Sequence, residues 1–365
     1  MKSPFISWCA SQGIITPLTL YGESSTHRYM VYDNPNFSIT SSPTISGNIL
    51  QVPFKACIIA DTTENLSIKL AYERDLGVDS LYAPYIDVLP KLEEELEYYD
   101  DEKQKKKYSG SLSSLPQFWD EERIGIVTDG DGGQLERKLK EDEREGLDPW
   151  AYACVTSRAN YIMGHGYAMT PILDMMNHDS SVSTSAKIVS DSGDKSKSSS
   201  NDNVLELSIQ ETFSIGDEVC ISYGDLTNLE TLSNYGFVSE KNKCNKESFD
   251  VFMMRKPPVQ VTIYDHDGSI DEVSLATLRS YLVTPNDIEN IGTNNFFRSP
   301  ISDSNEEEVY SFIASFIDEA ISDSYETAEK VYDKDELVYK YLVCRGDTLK
   351  KGLDTIKAKF PNVEF

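Results

Sequence analysis

Three short stretches of the chain carry residue types that could do chemistry at close quarters. They are S-R-A-N at 157–160, P-I-L-D-M-M-N-H-D at 171–179, and I-S-Y-G-D-L-T-N-L-E-T-L-S-N-Y-G-F-V at 221–238. The second sets Asp174, Asn177 and His178 just after Ile172-Leu173, with Met175 and Met176 between them. A lining that is part apolar and part hydrogen-bonding suits an amphipathic organic ligand. The same Asp and Asn could instead cap backbone groups of a turn. The third stretch presents Tyr223, Tyr235 and Phe237 beside Gly224 and Gly236. Such rings could line a channel for a cationic or freshly neutralised amine, or sit as core tyrosines in a sheet.

These residues need elements to position them. Asp148-Pro149-Trp150 reads as a helix start, and Trp150, Cys154, Arg158 and Tyr161 recur at helical spacing behind it. Leu205, Leu207 and Ile209 alternate with polar residues and predict a strand. A turn at Gly216-Asp217 then leads to a second alternating run, Val219, Ile221 and Tyr223. Residues 183–203 are rich in Ser and Lys with few apolar anchors, and predict an extended, mobile surface loop. Near the N-terminus, Ser3 and Pro4 open a helix that Gly13 ends, with Phe5, Trp8 and Cys9 on one face. Short strands are expected over 14–60, then a helical pattern from 64 to 107. That pattern closes in E-E-E-L-E-Y-Y-D-D-E-K-Q-K-K-K, read as a solvated helix end or loop. Gln134 to Glu145 predicts an exposed helix. Beyond about 245 the character becomes helical. Ser304 and Glu307 suggest a capping box, followed by the apolar stripe Val309, Phe312, Ile313, Phe316, Ile317, Ala320 and Ile321.

Composition bounds the function. The chain has 365 residues, 39% hydrophobic and 26% charged, enough for two or three packed domains. A formal charge of -27 argues against duplex nucleic acid, which needs clustered Lys and Arg. It suits a partner protein with a basic surface, although solubility alone would also account for it. No apolar run is long enough to span a bilayer, so no membrane partner is expected. No secretory h-region follows Met1. The six cysteines have no C-x-x-C spacing and the four histidines no ligand spacing, so a metal site is not expected. The pattern fits reduced cysteines in a cytoplasmic protein, with nucleus or plastid also open. Arg345-Gly346-Asp347 lies inside a helical pattern and reads as a chance adhesion-like triplet.

Together, N-H at 177–178, Y-G-D at 223–225 and N-Y-G-F at 234–237 resemble the SET-domain family. The likeness is to the branch of RuBisCO large-subunit lysine methyltransferases and the actin-histidine and nuclear-factor lysine methyltransferases. F-I-S-W-C-A-S-Q-G-I, I-L-Q-V-P, S-R-A at 157–159, L-R-S-Y-L-V and Y-E-T-A-E-K-V-Y-D-K-D-E-L extend it along essentially the whole chain. The resemblance implies an α+β fold of small sheets with a pseudoknot. A SET domain is expected over 1–245 with a helical insert at about 64–165, and an all-α substrate-binding domain over 246–365. It implies S-adenosylmethionine as cofactor and a protein substrate methylated on lysine, with histidine as the alternative residue. Asn177 and His178 would hold the cofactor, Arg158 would lie near its carboxylate, and Asp174 would support the pocket. Tyr223 would be the catalytic tyrosine, with Tyr235 and Phe237 shaping the amine channel. The family's G-x-G cofactor motif has no counterpart, because no glycine lies between Arg28 and Ile45. Asn36, Phe37 and Ser38 stand at that position. An inactive SET-like binding module is therefore the competing reading. A hydrolase built on Asp174 and His178 lacks a G-x-S-x-G nucleophile.

Overall fold

Ser3 accepts a hydrogen bond from the Ile6 amide at 3.2 Å, and Pro4 occupies the first turn, so the chain enters a helix at once. A computed structural model describes residues 3–22, 28–33, 44–98, 104–190, 203–288 and 297–361. In chain order the early elements are α1 (Pro4–Ser11), β1 (Leu18–Tyr21), β2 (Tyr29–Tyr32), β3 (Thr44–Pro53), β4 (Ile58–Ala60), α2 (Thr63–Asp75) and α3 (Ala83–Ile86). Then come β5 (Glu93–Tyr98), β6 (Gln104–Ser109), α4 (Glu121–Asp131), α5 (Gln134–Asp142), α6 (Pro149–Arg158), β7 (Asn160–Ile162) and β8 (Gly166–Met169). The remainder is β9 (Thr184–Ser190), β10 (Asn203–Ser214), α7 (Asn228–Tyr235), β11 (Lys246–Val251), β12 (Val259–Tyr264), α8 (Glu272–Leu282), α9 (Pro285–Ile288), α10 (Asp303–Val331) and α11 (Glu336–Lys359).

The chain divides into two compact units, 1–114 with 144–224, and 115–143 with 225–365. The change of character near 245 and the insert at about 64–165 that the resemblance implies stand beside this division, in which 115–143 groups with the C-terminal residues. The apolar faces of α4 and α5, with Val127 and Leu135, are buried against Val338, Tyr341 and Leu342 of α11.

The first unit is built on small antiparallel sheets, ordered β1-β2, β3-β10-β9, β4-β8-β7 and β5-β6. Early strands therefore pair with late ones. β3 lies against β10 in a register that sets Leu50 opposite Leu207. Leu205, Leu207 and Ile209 are buried on one face of β10, as their alternation requires. Gly166 lets β8 approach β4, since a Cβ there would stand 2.2 Å from the Ala60 carbonyl oxygen. Cys9, Cys57 and Cys154 are buried, unpaired thiols.

Three local expectations are corrected in this unit. The charged run after Leu92 forms the hairpin β5–β6 rather than a helix end. Its register sets Glu95 opposite Lys107 and Glu97 opposite Lys105, so the acidic half of the run folds onto the basic half. Residues 184–190 of the expected surface loop form β9, because the edge of β10 offers a ladder to pair with. The rest of that stretch, 191–202, lies outside the described residues. The run 219–223 is not a strand. Glu218 bridges Val31 and Ile221 bridges His178, so successive residues pair with different partners and no ladder forms.

In the second unit, Val309, Ile313 and Ile317 of α10 are fully buried with Leu349, Leu353 and Ile356 of α11. Phe312, Phe316, Ala320 and Ile321 pack against this core, so the predicted stripe is real. Its cap lies two residues earlier than expected. Ser302, in extended conformation, accepts from the Asn305 amide at 3.0 Å, and the helix starts at Asp303. The unit is mainly helical, but it is not all-α. It contains the hairpin β11–β12, whose inward residues Phe249, Val261 and Ile263 join the same core. Arg345 of the adhesion-like triplet is buried inside α11, with its guanidinium 3.1 Å from Glu247.

Candidate active site

After β8 the chain turns through Thr170-Pro171-Ile172 into a 3₁₀ turn, Leu173–Met175. Ile172 holds φ at 75°. A β-branched residue occupies that region only at a cost of about 1–3 kcal/mol, which the surrounding packing must offset. The turn seats Asp174 in the interior, 7% exposed. The Tyr85 phenol donates to its Oδ2, while Oδ1 is buried with no partner among the described residues. Burial pushes this carboxyl up to about 7, against the opposing pull of Arg158 and the Tyr85 hydrogen bond.

Arg158 ends α6, whose N-cap Asp148 accepts from the Ala151 amide at 2.9 Å. Its guanidinium donates to the Asp174 carbonyl oxygen and lies 3.9 Å from the Met175 sulfur. Its Nε is buried without a partner among the described residues. Arg28 donates to the Val88 carbonyl. Burial, and then the nearby charge of Arg158, lower the pKa of Arg28. The two guanidinium groups thus share one electrostatic neighbourhood, each tied to a neutral carbonyl rather than a carboxylate. That corner fits an anionic group such as a carboxylate.

The second and third chemical stretches meet side by side. The Ile221 amide donates to the Asn177 carbonyl at 2.9 Å, and the Asp179 amide donates to the Ile221 carbonyl at 3.0 Å. The result is a parallel bridge between His178 and Ile221. The Tyr223 amide donates to His178 Nδ1 at 3.0 Å, so the neutral imidazole carries its proton on Nε2. Partial burial lowers the pKa of His178 and favours that neutral form, although Asp179 pulls the other way. The two rings also pack, with centroids 5.1 Å apart. The Tyr223 hydroxyl donates to the Met176 carbonyl at 2.7 Å. With its proton given to Met176, what this oxygen offers a reacting group is lone-pair density.

Arg158, Asp174, Asn177, His178 and Tyr223 are therefore brought together in the first unit. Asn177 differs from expectation in one respect. It is exposed, and its side-chain NH₂ already donates to Glu218 Oε1 at 2.7 Å and to the Arg28 carbonyl at 3.4 Å. With its carbonyl taken by the Ile221 amide, its backbone N–H and Oδ1 are what remain for a ligand among the described residues. Tyr235 and Phe237 belong to the second unit. Thr227 and Glu230 form a reciprocal capping box that starts α7, Tyr235 ends the helix, and Gly236 (φ 72°) caps it. The two rings lie 6.1 Å apart at a 50° tilt. Asn36, Phe37 and Ser38 lie outside the described residues. Gly164 and His165 form the turn of the β7–β8 hairpin. Sequence reasoning missed Arg28, Tyr85 and Glu218. Each acts through a contact with a residue far away in the chain, and none sits in a recognisable pattern.

No family model matches the chain. Protein SET DOMAIN GROUP 40 of Arabidopsis thaliana is 24% identical over 260 residues, which is 61% of this chain and 50% of that protein. The chain thus spans about half the length of the curated relative it matches. A solved structure of the SET domain of LSMT bound to lysine and AdoHcy superposes with a TM-score of 0.69 at 18% identity, covering 97% of this chain and 90% of that one. Rubisco LSMT bound to AdoMet gives a TM-score of 0.64 at 17% identity, covering 98% and 90%. The fold is that of a SET-domain protein. More particularly, it is LSMT-like, with helices α10 and α11 in the C-terminal region. Among the described residues, no helix is long and apolar enough to cross a membrane.

Proposed function

We propose that this chain is a protein N-methyltransferase that uses S-adenosylmethionine and modifies a lysine side chain of a protein. The observation that carries the reading is the corner made by Arg28 and Arg158, with Arg158 bonded to the same 174–176 stretch that takes the hydroxyl hydrogen bond of Tyr223. LSMT structures bound to AdoMet, AdoHcy and lysine support it. When bound, S-adenosylmethionine supplies an electrophilic methyl group on a sulfonium. Arg158 and Arg28 would hold its carboxylate, and Arg158 Nε would gain the acceptor it lacks. The backbone at Asn177 and His178 would hold the remainder, with Asp174 fixing the turn that presents them. Tyr223 would direct its lone pairs at the polarised methyl, an interaction worth more in the transition state than in the ground state. Free lysine has a pKa of about 10.4, so the site must favour the neutral amine. Tyr235 and Phe237 are the aromatic side chains proposed to receive its aliphatic stem. The charge of -27 makes a substrate with a basic surface the expected partner.

One observation favours a second reading, an inactive SET-like binding module. No glycine lies between Arg28 and Ile45, where glycine would let the backbone approach a ligand closely. Calorimetry with S-adenosylmethionine separates the two. The enzyme reading expects saturable binding, weakened about tenfold or more in Arg158→Ala, and transfer of radiolabelled methyl to protein in a lysate. A folded wild type that binds no cofactor leaves only the module.

A further inference from the structure

Among the exposed apolar side chains of the first unit, five fall within residues 68–81. Ile68, Tyr72 and Leu76 recur every four residues along α2 and its C-cap, forming one outward stripe. Immediately beyond, the 3₁₀ turn Gly77–Asp79 holds Val78 94% exposed, and Leu81 follows at 81%. Single exposed aliphatics need no explanation, but a contiguous set does. Val78 and Leu81 border a groove of about 510 Å³ that Phe5, Trp8, Pro84 and Val88 also line.

The groove is stiff. Trp8 donates its indole N–H to the Leu81 carbonyl at 2.9 Å, tying the turn to α1. Phe5, Trp8 and Tyr85 pack on one another as a three-ring cluster, with Phe5 and Tyr85 at 6.2 and 6.1 Å from Trp8 and 6.2 Å from each other. A surface held in place this way costs a partner little ordering on binding.

Its lining carries acidic charge. Asp87 is the charged side chain of the lining, and Asp79 lies between Val78 and Ser80. Neither carboxylate has a side-chain partner among the described residues. Arg28 is the cation that touches a lining residue, with its guanidinium held at the Val88 carbonyl, while the Ser80 hydroxyl donates to a further carboxylate, Glu73. On α2 the cations are also engaged. Arg74 is bound to Asp148 at 2.9 Å and to Asp75 at 3.0 Å, and Lys69 donates to the Ile59 carbonyl at 2.7 Å.

We propose that the groove, with Val78 and Leu81 at its border, docks an amphipathic helix of a partner protein. Its apolar face carries leucine-type side chains, and lysine or arginine flanks that face. The aliphatic side chains seat between Val78 and Leu81 over Trp8, and the flanking cations meet Asp79 and Asp87. The surface does not depend on the proposed methyl transfer.

The test uses the full chain and three labelled peptides of about 14 residues, read by fluorescence anisotropy. One is an amphipathic leucine helix flanked by lysine, one is the same with glutamate flanks, and one is a scramble of the first. The lysine peptide should bind at least about tenfold tighter than either control. Val78→Asp with Leu81→Asp should abolish that preference, and these exposed positions leave the fold intact. Asp87→Lys should weaken the lysine peptide and strengthen the glutamate one, which a merely structural role for Asp87 would not do. Equal affinity for the three peptides, no binding, or binding indifferent to these substitutions would overturn the proposal. Wild-type self-association lost in Leu81→Asp by sedimentation would also overturn it, by making a second copy the occupant.

Discussion

Two buried aspartates, one in each unit, show what separates scaffold from site. Asp131 is fully buried at the end of α4. Its Oδ1 accepts from the amides of Gly133 and Gln134 at 2.8 and 3.0 Å. Its Oδ2 accepts from the Leu135 amide at 2.9 Å and the Tyr341 hydroxyl at 3.2 Å. Both oxygens are satisfied, and the groups they satisfy are the open donors at the start of α5. Asp174 is nearly as deep, yet among the described residues one of its oxygens has no partner and neither has Nε of its neighbour Arg158, and Ile172 beside it is strained. Burial pushes both carboxyls upward, with Arg345 opposing at Asp131 and Arg158 opposing at Asp174. The same residue type at similar depth serves folding where its partners are complete. Where they are incomplete, with strain alongside, it marks a place prepared for something else.

The largest effect should come from the satisfied aspartate. Asp131→Ala leaves three amides and a phenol without their acceptor, and should cost about 3 kcal/mol or more of unfolding free energy. Chemical denaturation would measure it, and cofactor affinity in the folded fraction should be unchanged. A loss under about 1 kcal/mol would mean that water or relaxation replaces those bonds, and would erase the contrast.

Tyr223→Phe should do the reverse. It keeps the ring against His178 and loses one hydroxyl. Turnover should fall by about 100-fold, with stability changed by about 1 kcal/mol and cofactor binding little affected. Single-turnover methyl transfer beside calorimetry reads this directly. Wild-type rates would reduce Tyr223 to a packing residue.

Asp174 sharpens the comparison through pH. Its folded value of about 7 lies above the unfolded one, so the native state binds the proton more tightly. The associated stability is fully present below pH of about 4 and is lost as pH rises through about 7. Asp174→Asn has no proton to lose. Melting temperature of wild type relative to the variant should therefore decline across that window and level off above it. A constant difference would show that Asp174 is ionised throughout.

The smallest effect tests the second unit's own reading. Ser302→Ala should cost about 1 kcal/mol, and Ser304→Ala close to nothing. Equal losses would return the cap to Ser304, where spacing first placed it.

Much of the site was legible because its parts are local in sequence. His178 and Tyr223 stand out as types, N-Y-G-F is a recognisable run although its place at the end of α7 was not read from it, and Asp148-Pro149 starts the helix that carries Arg158. Arg28 was not legible. It is a lone arginine whose meaning comes from the nearby charge of Arg158, 130 positions later. Tyr85 was hidden for the same reason, being one tyrosine among 21 until it is seen against Asp174.

By itself the amino-acid order determined the periodic features: the buried face of α1, the alternation of β10 and the stripe of α10. Side-chain period and capping chemistry are properties of neighbours a few residues apart. Tertiary structure decided the rest. It turned a charged run into the β5–β6 hairpin, paired residues 184–190 with the edge of β10, and kept 219–223 from becoming a strand. Only the folded chain could supply those partners, because backbone hydrogen bonds between distant segments depend on which edge or carbonyl is within reach.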